Sequence, residues 1–158
     1  MDDTMRVRRQ LAALLTWSDA HVSFDDAVAG LPAPARGTVP KGLQHSAWQL
    51  VEHLRLAQAD ILEFCVSRRY EAKRWPEDYW PAVAPPTRQA WNASIAGFKK
   101  DRRALQRLIL NPRRDLLTRV PAGTGQTILR EVILAADHTA YHVGQLILVR
   151  RALGHWPV

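Results

Sequence analysis

Cysteine occurs once in the 158 residues, as Cys65, which excludes an internal disulfide. Lysine is scarce too: Lys41, Lys73, Lys99 and Lys100 are four of 22 basic residues, so the net charge of +7 rests mainly on arginine. Arginine even occurs in pairs, at Arg8-Arg9, Arg102-Arg103, Arg113-Arg114 and Arg150-Arg151. Such a surface attracts anions without defining a partner. Long apolar runs are missing as well. Although 47% of residues are hydrophobic, no uninterrupted run approaches the roughly 18–20 residues that span a bilayer, and no membrane segment is expected. The start Met1-Asp-Asp-Thr-Met-Arg6 lacks the basic region and apolar run of a secretory signal, so a cytoplasmic protein is expected. There is no internal repeat and no low-complexity tail.

What is present reads as helix. A chain of this length suits one domain, residues 1–158, and can bury roughly 70% of the surface its unfolded form exposes. Four segments show helical periodicity. The first runs from about residue 4 to residue 29, with Leu14, Trp17, His21, Phe24, Asp25 and Val28 on one face, and stops at Gly30-Leu-Pro-Ala-Pro34. Ser46 is the N-cap of the second, which carries Leu50, His53, Leu54, Ala57, Ile61 and Phe64 along its buried side and ends near Ser67. Residues 68–86, with Trp75-Pro-Glu-Asp-Tyr-Trp80-Pro at their centre, are too broken for helix and form an ordered crossover. Thr87 caps the third helix, whose stripe is Trp91, Ile95, Phe98, Arg102, Leu105 and Ile109, and Asn111-Pro112 closes it. The fourth runs from about residue 126 to residue 153, with Gly154 as its helix-ending glycine. No segment reads as a strand. The expected fold is all-α: a four-helix bundle with a long crossover between helices two and three, an architecture whose core commonly hosts metals on facing helices.

Chemistry concentrates in the fourth helix. His138 and His142 stand four residues apart in a largely apolar run, which puts both rings on one helix face, close enough to share an ion. At about 100° per residue both fall within the core-facing stripe of Glu131, Leu134, Tyr141, Gln145 and Val149. His53 projects into the core from the second helix. A single buried histidine is ordinarily bonded to a carbonyl or hydroxyl. Three on facing helices would need partners for every ring nitrogen, whereas a shared metal satisfies one nitrogen of each and leaves the other N–H for an acceptor. Asp137, Asp60 and Glu52 are the candidate acceptors. Three histidine ligands suit zinc, nickel or ferrous iron, with a coordination position left open. Thr139 follows His138 where a zincin carries its catalytic glutamate, so a zincin peptidase is excluded.

Trp48-Gln-Leu-Val-Glu-His53-Leu together with Asp137-His138-Thr-Ala-Tyr-His142-Val-Gly-Gln145 resembles the DinB/YfiT-like superfamily of metal-binding four-helix bundles. The likeness spans nearly the whole chain in helix order and crossover. A bacterial branch of that superfamily resembles it further in the run from Trp75 to Pro81 and in the ending Gln145-Leu-Ile-Leu-Val-Arg-Arg-Ala-Leu-Gly154. The resemblance implies one divalent transition metal held by His53, His138 and His142, and the carry-over stops at those three, leaving catalytic residues unassigned. Relatives include thiol-dependent transferases and a maleylpyruvate isomerase. The resemblance therefore implies a small-molecule substrate and a low-molecular-weight thiol as a candidate partner, with hydrolase and thiol-transferase chemistry both open. Kinship with a DNA-damage-inducible gene product does not make a repair enzyme.

Other residues keep two readings. His21 is a fourth ligand, a general base or a core histidine. Arg102 either meets a substrate carboxylate or snorkels to the surface. Tyr141 and Gln145 orient substrate or simply pack at the bundle seam, and Cys65 packs. The competing class is a non-catalytic interaction or nucleic-acid-binding module with a structural or vestigial metal site; against nucleic acid, the arginines are scattered over helices and loops rather than gathered in one stripe. Leu129, Val132, Ile133, Ala136, Ala140, Val143 and Ile147 add apolar surface to the fourth helix beyond one core face, and with Gly144 they suggest a homodimer seam.

Overall fold

The computed structural model describes residues 3–156. Its elements are α1 (Asp3–Leu14), α2 (Phe24–Val28), α3 (Ala33–Arg36), α4 (Ala47–Val66), α5 (Arg88–Leu110) and α6 (Ile128–Ala152). The chain is all-helical, as expected; among the described residues the β-type pairing is one isolated bridge between Arg119 and Thr127. α4 is central, packed against both α5 and α6, while α1 lies along α5.

The starts of the long helices follow from their caps. Ser46 and Gln49 form a reciprocal capping box: Gln49 N–H donates to Ser46 Oγ (3.2 Å) and Ser46 N–H to Gln49 Oε1 (3.0 Å), satisfying two backbone donors that a helix start leaves orphaned. Thr87 and Thr127 cap α5 and α6 by the hydroxyl alone, accepting from Ala90 N–H and Arg130 N–H. Gly154 ends α6 at a φ of +73°, a left-handed conformation that glycine adopts without steric cost.

The first helix departs from expectation. α1 ends at Leu14, residues 15–23 are turns and extended backbone, and α2 restarts at Phe24 behind a Ser23 cap. Side chains in this stretch compete for backbone groups: Thr16 Oγ1 donates to the Ala13 carbonyl (3.1 Å), and Ser23 Oγ accepts from Asp26 N–H (3.1 Å). Such local bonds offer the chain an alternative to the helical ladder. The face that periodicity drew through Trp17 and His21 is therefore cut, and both residues are exposed.

The core forms two clusters. Phe24, Leu50, Leu54, Phe98 and Leu146 anchor one, and Ile61, Leu105, Ile109, Ile128 and Val132 the other. Three buried arginines tie helices together. Arg8 on α1 donates to the Ile109 (2.7 Å) and Asn111 (3.2 Å) carbonyls at the end of α5, and Arg150 on α6 to the Ala27 (2.6 Å) and Ala29 (2.8 Å) carbonyls at the end of α2. Forked guanidinium donors suit the carbonyls that a helix end leaves unpaired. Arg102 does not snorkel: it is 7% exposed, and its Nη2 donates to Asp25 Oδ2 at 2.8 Å.

α6 is, by length and composition, apolar enough to cross a membrane, with a mean hydropathy of 1.3 over its most apolar stretch. Asp137, His138, His142 and Gln145 break α6 into short apolar runs while its many Ile, Leu, Val and Ala residues keep the mean high, so counting uninterrupted runs does not register it. A third of that stretch is buried in the fold, and the helix carries the buried Glu131, His142 and Arg150.

Candidate metal centre

α4 and α6 bring His53, His138 and His142 together. One ring nitrogen from each lies within 4.8 Å of the others, and Nε2 of His53 faces Nε2 of His138 at 3.1 Å. Three nitrogens at about 2.0–2.1 Å from one tetrahedral ion stand roughly 3.3 Å apart, so the cluster fits a single ion with small adjustments. His53 is 2% exposed, His142 is buried and His138 half-buried.

The outer nitrogens set the tautomers. His53 Nδ1 lies 2.9 Å from the Tyr79 carbonyl oxygen, and His142 Nδ1 lies 2.7 Å from Gln145 Oε1. Carbonyl oxygens only accept, so both Nδ1 atoms carry the proton and both Nε2 lone pairs are free to bind a cation. Burial pushes His138 and His142 down to about 4. The two neighbouring imidazoles push His138 further the same way, and the Gln145 bond partly offsets the shift at His142. Burial lowers His53 as well. All three rings are neutral near pH 7, the state a ligand requires.

Residues 67–87 build a wall over this cluster. The Trp80 indole stacks on His53 with centroids 4.0 Å apart and planes 2° from parallel, and its other face stacks on His45 at 4.1 Å. Trp75, 67% exposed, meets His53 edge-on at 6.3 Å. Asp60 on α4 clamps the segment by accepting from Tyr79 Oη (2.6 Å), Tyr70 Oη (3.1 Å) and Lys73 Nζ (3.1 Å). Burial and the Asp60 carboxylate raise both tyrosine pKa values above the ordinary phenol range.

These contacts revise the expected acceptors. Glu52 pairs with Arg55 (2.8 Å) and Asp137 is exposed. Asp60 acts one step removed, by holding the segment whose backbone reaches His53. Gln145 supplies the acceptor for His142, a role its i,i+3 spacing from that histidine could have signalled. The Tyr79 carbonyl leaves no trace in the sequence, because every residue has one.

Two cavities reach the cluster. One, of about 420 Å³, is lined by His45, Trp80, Tyr141, His142, Gln145 and Leu148 among others, with no lysine, arginine, aspartate or glutamate. The other, of about 200 Å³, is lined by His53, His138, Asp60, Trp75 and Tyr79 among others. His45, which sequence reasoning passed over, has a buried Nδ1 with no hydrogen-bond partner, and burial lowers its pKa. Placed just before the Ser46 cap, it belongs to no periodic face that would have singled it out.

The remaining candidates stay apart. His21 is exposed and its Nδ1 lies 2.9 Å from the Val22 carbonyl, so it joins neither the cluster nor the core. Arg102 is committed to Asp25. Cys65 is buried, and burial followed by the nearby Glu131 raises its thiol to about 12, a packing thiol rather than a nucleophile.

A family model for the DinB superfamily matches residues 16–146, a span that includes all three histidines. No curated protein and no solved structure matches the chain.

Proposed function

Because the chain belongs to the DinB superfamily, we propose that His53, His138 and His142 hold one divalent transition metal, zinc, nickel or iron, and that the protein is a metal-dependent enzyme acting on a small molecule. The observation that carries this reading is the inward convergence of neutral imidazole nitrogens, His53 Nε2 and His138 Nε2 3.1 Å apart, with the outer nitrogens of His53 and His142 already donating to oxygen. The His53 and His142 tautomers each leave an Nε2 lone pair turned toward the cluster, and a cation shared with His138 would satisfy both.

When bound, such an ion supplies chemistry by lowering the pKa of water or a low-molecular-weight thiol, giving a nucleophile near neutral pH. The chain's own contribution is preorganisation. The Tyr79 carbonyl and Gln145 hold two ligand rings in their binding tautomer, and Trp80 shields His53 from solvent. The 420 Å³ cavity beside His142 offers the Tyr141 and Gln145 side chains as hydrogen-bonding groups between apolar walls. Lacking a cationic side chain, it suits an uncharged portion of a substrate and offers no clamp for phosphate or carboxylate. Hydrolysis and thiol transfer both fit this arrangement. In this reading the setting is the cytoplasm, with the one cysteine buried and unpaired. This reading favours a small molecule over nucleic acid as the partner, because the arginines are scattered over helices and loops, three of them (Arg8, Arg102 and Arg150) being buried, rather than gathered in one stripe.

The test is elemental analysis of untagged protein purified without chelator, wild type against His138→Ala and His142→Ala. About one equivalent of a transition metal, lost from both variants while the helical circular dichroism persists, is the expected result. An absence of metal after reconstitution with zinc, nickel and ferrous iron would overturn the proposal.

A further inference from the structure

The outer face of α6 carries a second pattern that the metal cluster does not use. Ile133, Asp137, Ala140, Gly144, Leu148 and Arg151 recur at three- and four-residue steps, the spacing of a helix-pairing seam. All but the half-buried Ala140 are exposed. A Cβ built on Gly144 meets nothing within 4 Å, so open space lies over the middle of the helix. Trp17, 48% exposed, and His21 wall a groove of about 260 Å³ along the same face with Ile133, Asp137 and Ala140.

The arrangement is self-complementary about Gly144. Asp137 stands seven residues before it and Arg151 seven after, whereas Ala140 stands four before and Leu148 four after. Seven residues are nearly two full turns, so these positions stay on one face. If a second α6 lies antiparallel across a two-fold axis at Gly144, each Asp137 faces the other copy's Arg151, and each small Ala140 faces a large Leu148. An isologous interface requires this reciprocity. Neither Asp137 nor Arg151 has an ion-pair partner within the chain among the salt bridges found in the described residues.

We propose that a second copy of this chain occupies the face, forming a two-fold α6–α6 dimer with the Asp137–Arg151 pair made twice. Glycine at the axis lets the backbones approach closely. Leu148 and Tyr141 also line the 420 Å³ cavity, so the partner helix borders its rim. The seam from Ile133 to Arg151 is about 27 Å long, so a contact confined to it falls at the small end of specific interfaces. The proposal does not depend on the metal.

Sedimentation equilibrium of the full chain across the micromolar range tests it, with Asp137→Arg, Arg151→Asp and the double exchange as variants. Each single reversal sets like charges opposite each other at two places and is expected to weaken dimerisation at least tenfold; the double exchange restores opposite charges and is expected to restore the dimer. Both positions are exposed, and circular dichroism verifies that the variants fold. A wild type that stays monomeric, single reversals without effect, or a double exchange that fails to rescue would each overturn the pairing. So would a monomer that co-sediments through this face with phosphatidylglycerol vesicles, since the occupant would then be a lipid surface.

Discussion

Replacing Gln145 with leucine isolates the effect of holding one imidazole in place. Gln145 Oε1 accepts from His142 Nδ1 at 2.7 Å, which keeps the proton on Nδ1 and the lone pair on Nε2. Leucine has similar bulk and no acceptor, so the ring is freed to rotate or to move its proton to Nε2, where it blocks ligation. Removing such an orienting partner typically weakens metal binding about 10–100-fold, or roughly 1.4–2.7 kcal/mol. Protonation does not confuse the reading: His142 titrates near 4, and losing the Gln145 bond lowers it further, so the ring is neutral in both proteins near pH 7. The assay is zinc competition against a chromophoric chelator at neutral pH, with circular dichroism to verify the helices. Gln145→Glu keeps an acceptor at the same position and is expected to bind at least as tightly as wild type. A leucine variant that binds zinc like wild type, or a glutamate variant as weak as the leucine one, would refute the reasoning.

Two further outcomes are expected. In the metal-free protein, His138 and His142 are displaced from 6.5 to about 4, so between those values the unfolded chain binds protons that the folded chain does not. Their contribution to stability is complete above about pH 6.5 and is lost as pH falls toward 4; urea midpoints should fall across that window more steeply in wild type than in His138→Phe, and equal slopes would count against it. Asp60→Ala removes the acceptor for Tyr79, Tyr70 and Lys73 and should cost about 1–3 kcal/mol. Trypsin should then cut faster at Lys73 and Arg74, and an unchanged cleavage rate would show that the clamp does not hold this segment.

Legibility followed the range of the forces. α4, α5 and α6 were readable because caps and apolar periodicity are local signals: Ser46 and Thr87 mark the starts of α4 and α5, and Gly154 marks the end of α6. The histidine cluster was readable because i,i+4 spacing on one helix and core projection on another leave few alternatives. The first helix misled because residues 15–23 keep apolar letters at helical spacing while Thr16 and Ser23 draw backbone bonds elsewhere. Arg102 misled because a partner 77 residues away, Asp25, has no signature at either position. The support around the cluster was hidden for the same reason. The Tyr79 carbonyl, the Asp60 clamp and the His45–Trp80–His53 stack all depend on where an irregular segment comes to rest, and local sequence pattern does not specify that.

The stack of Trp80 on His53 gives the protein an optical gauge of its own. An indole 4.0 Å from the His53 imidazole and nearly parallel to it emits within a few ångströms of any ion that the three histidines would hold. An ion with a partly filled d shell, such as nickel or ferrous iron, drains that emission, whereas closed-shell zinc leaves it bright. Emission from the unlabelled chain, to which Trp80 contributes as one of six tryptophans, would thus separate zinc from an open-shell ion.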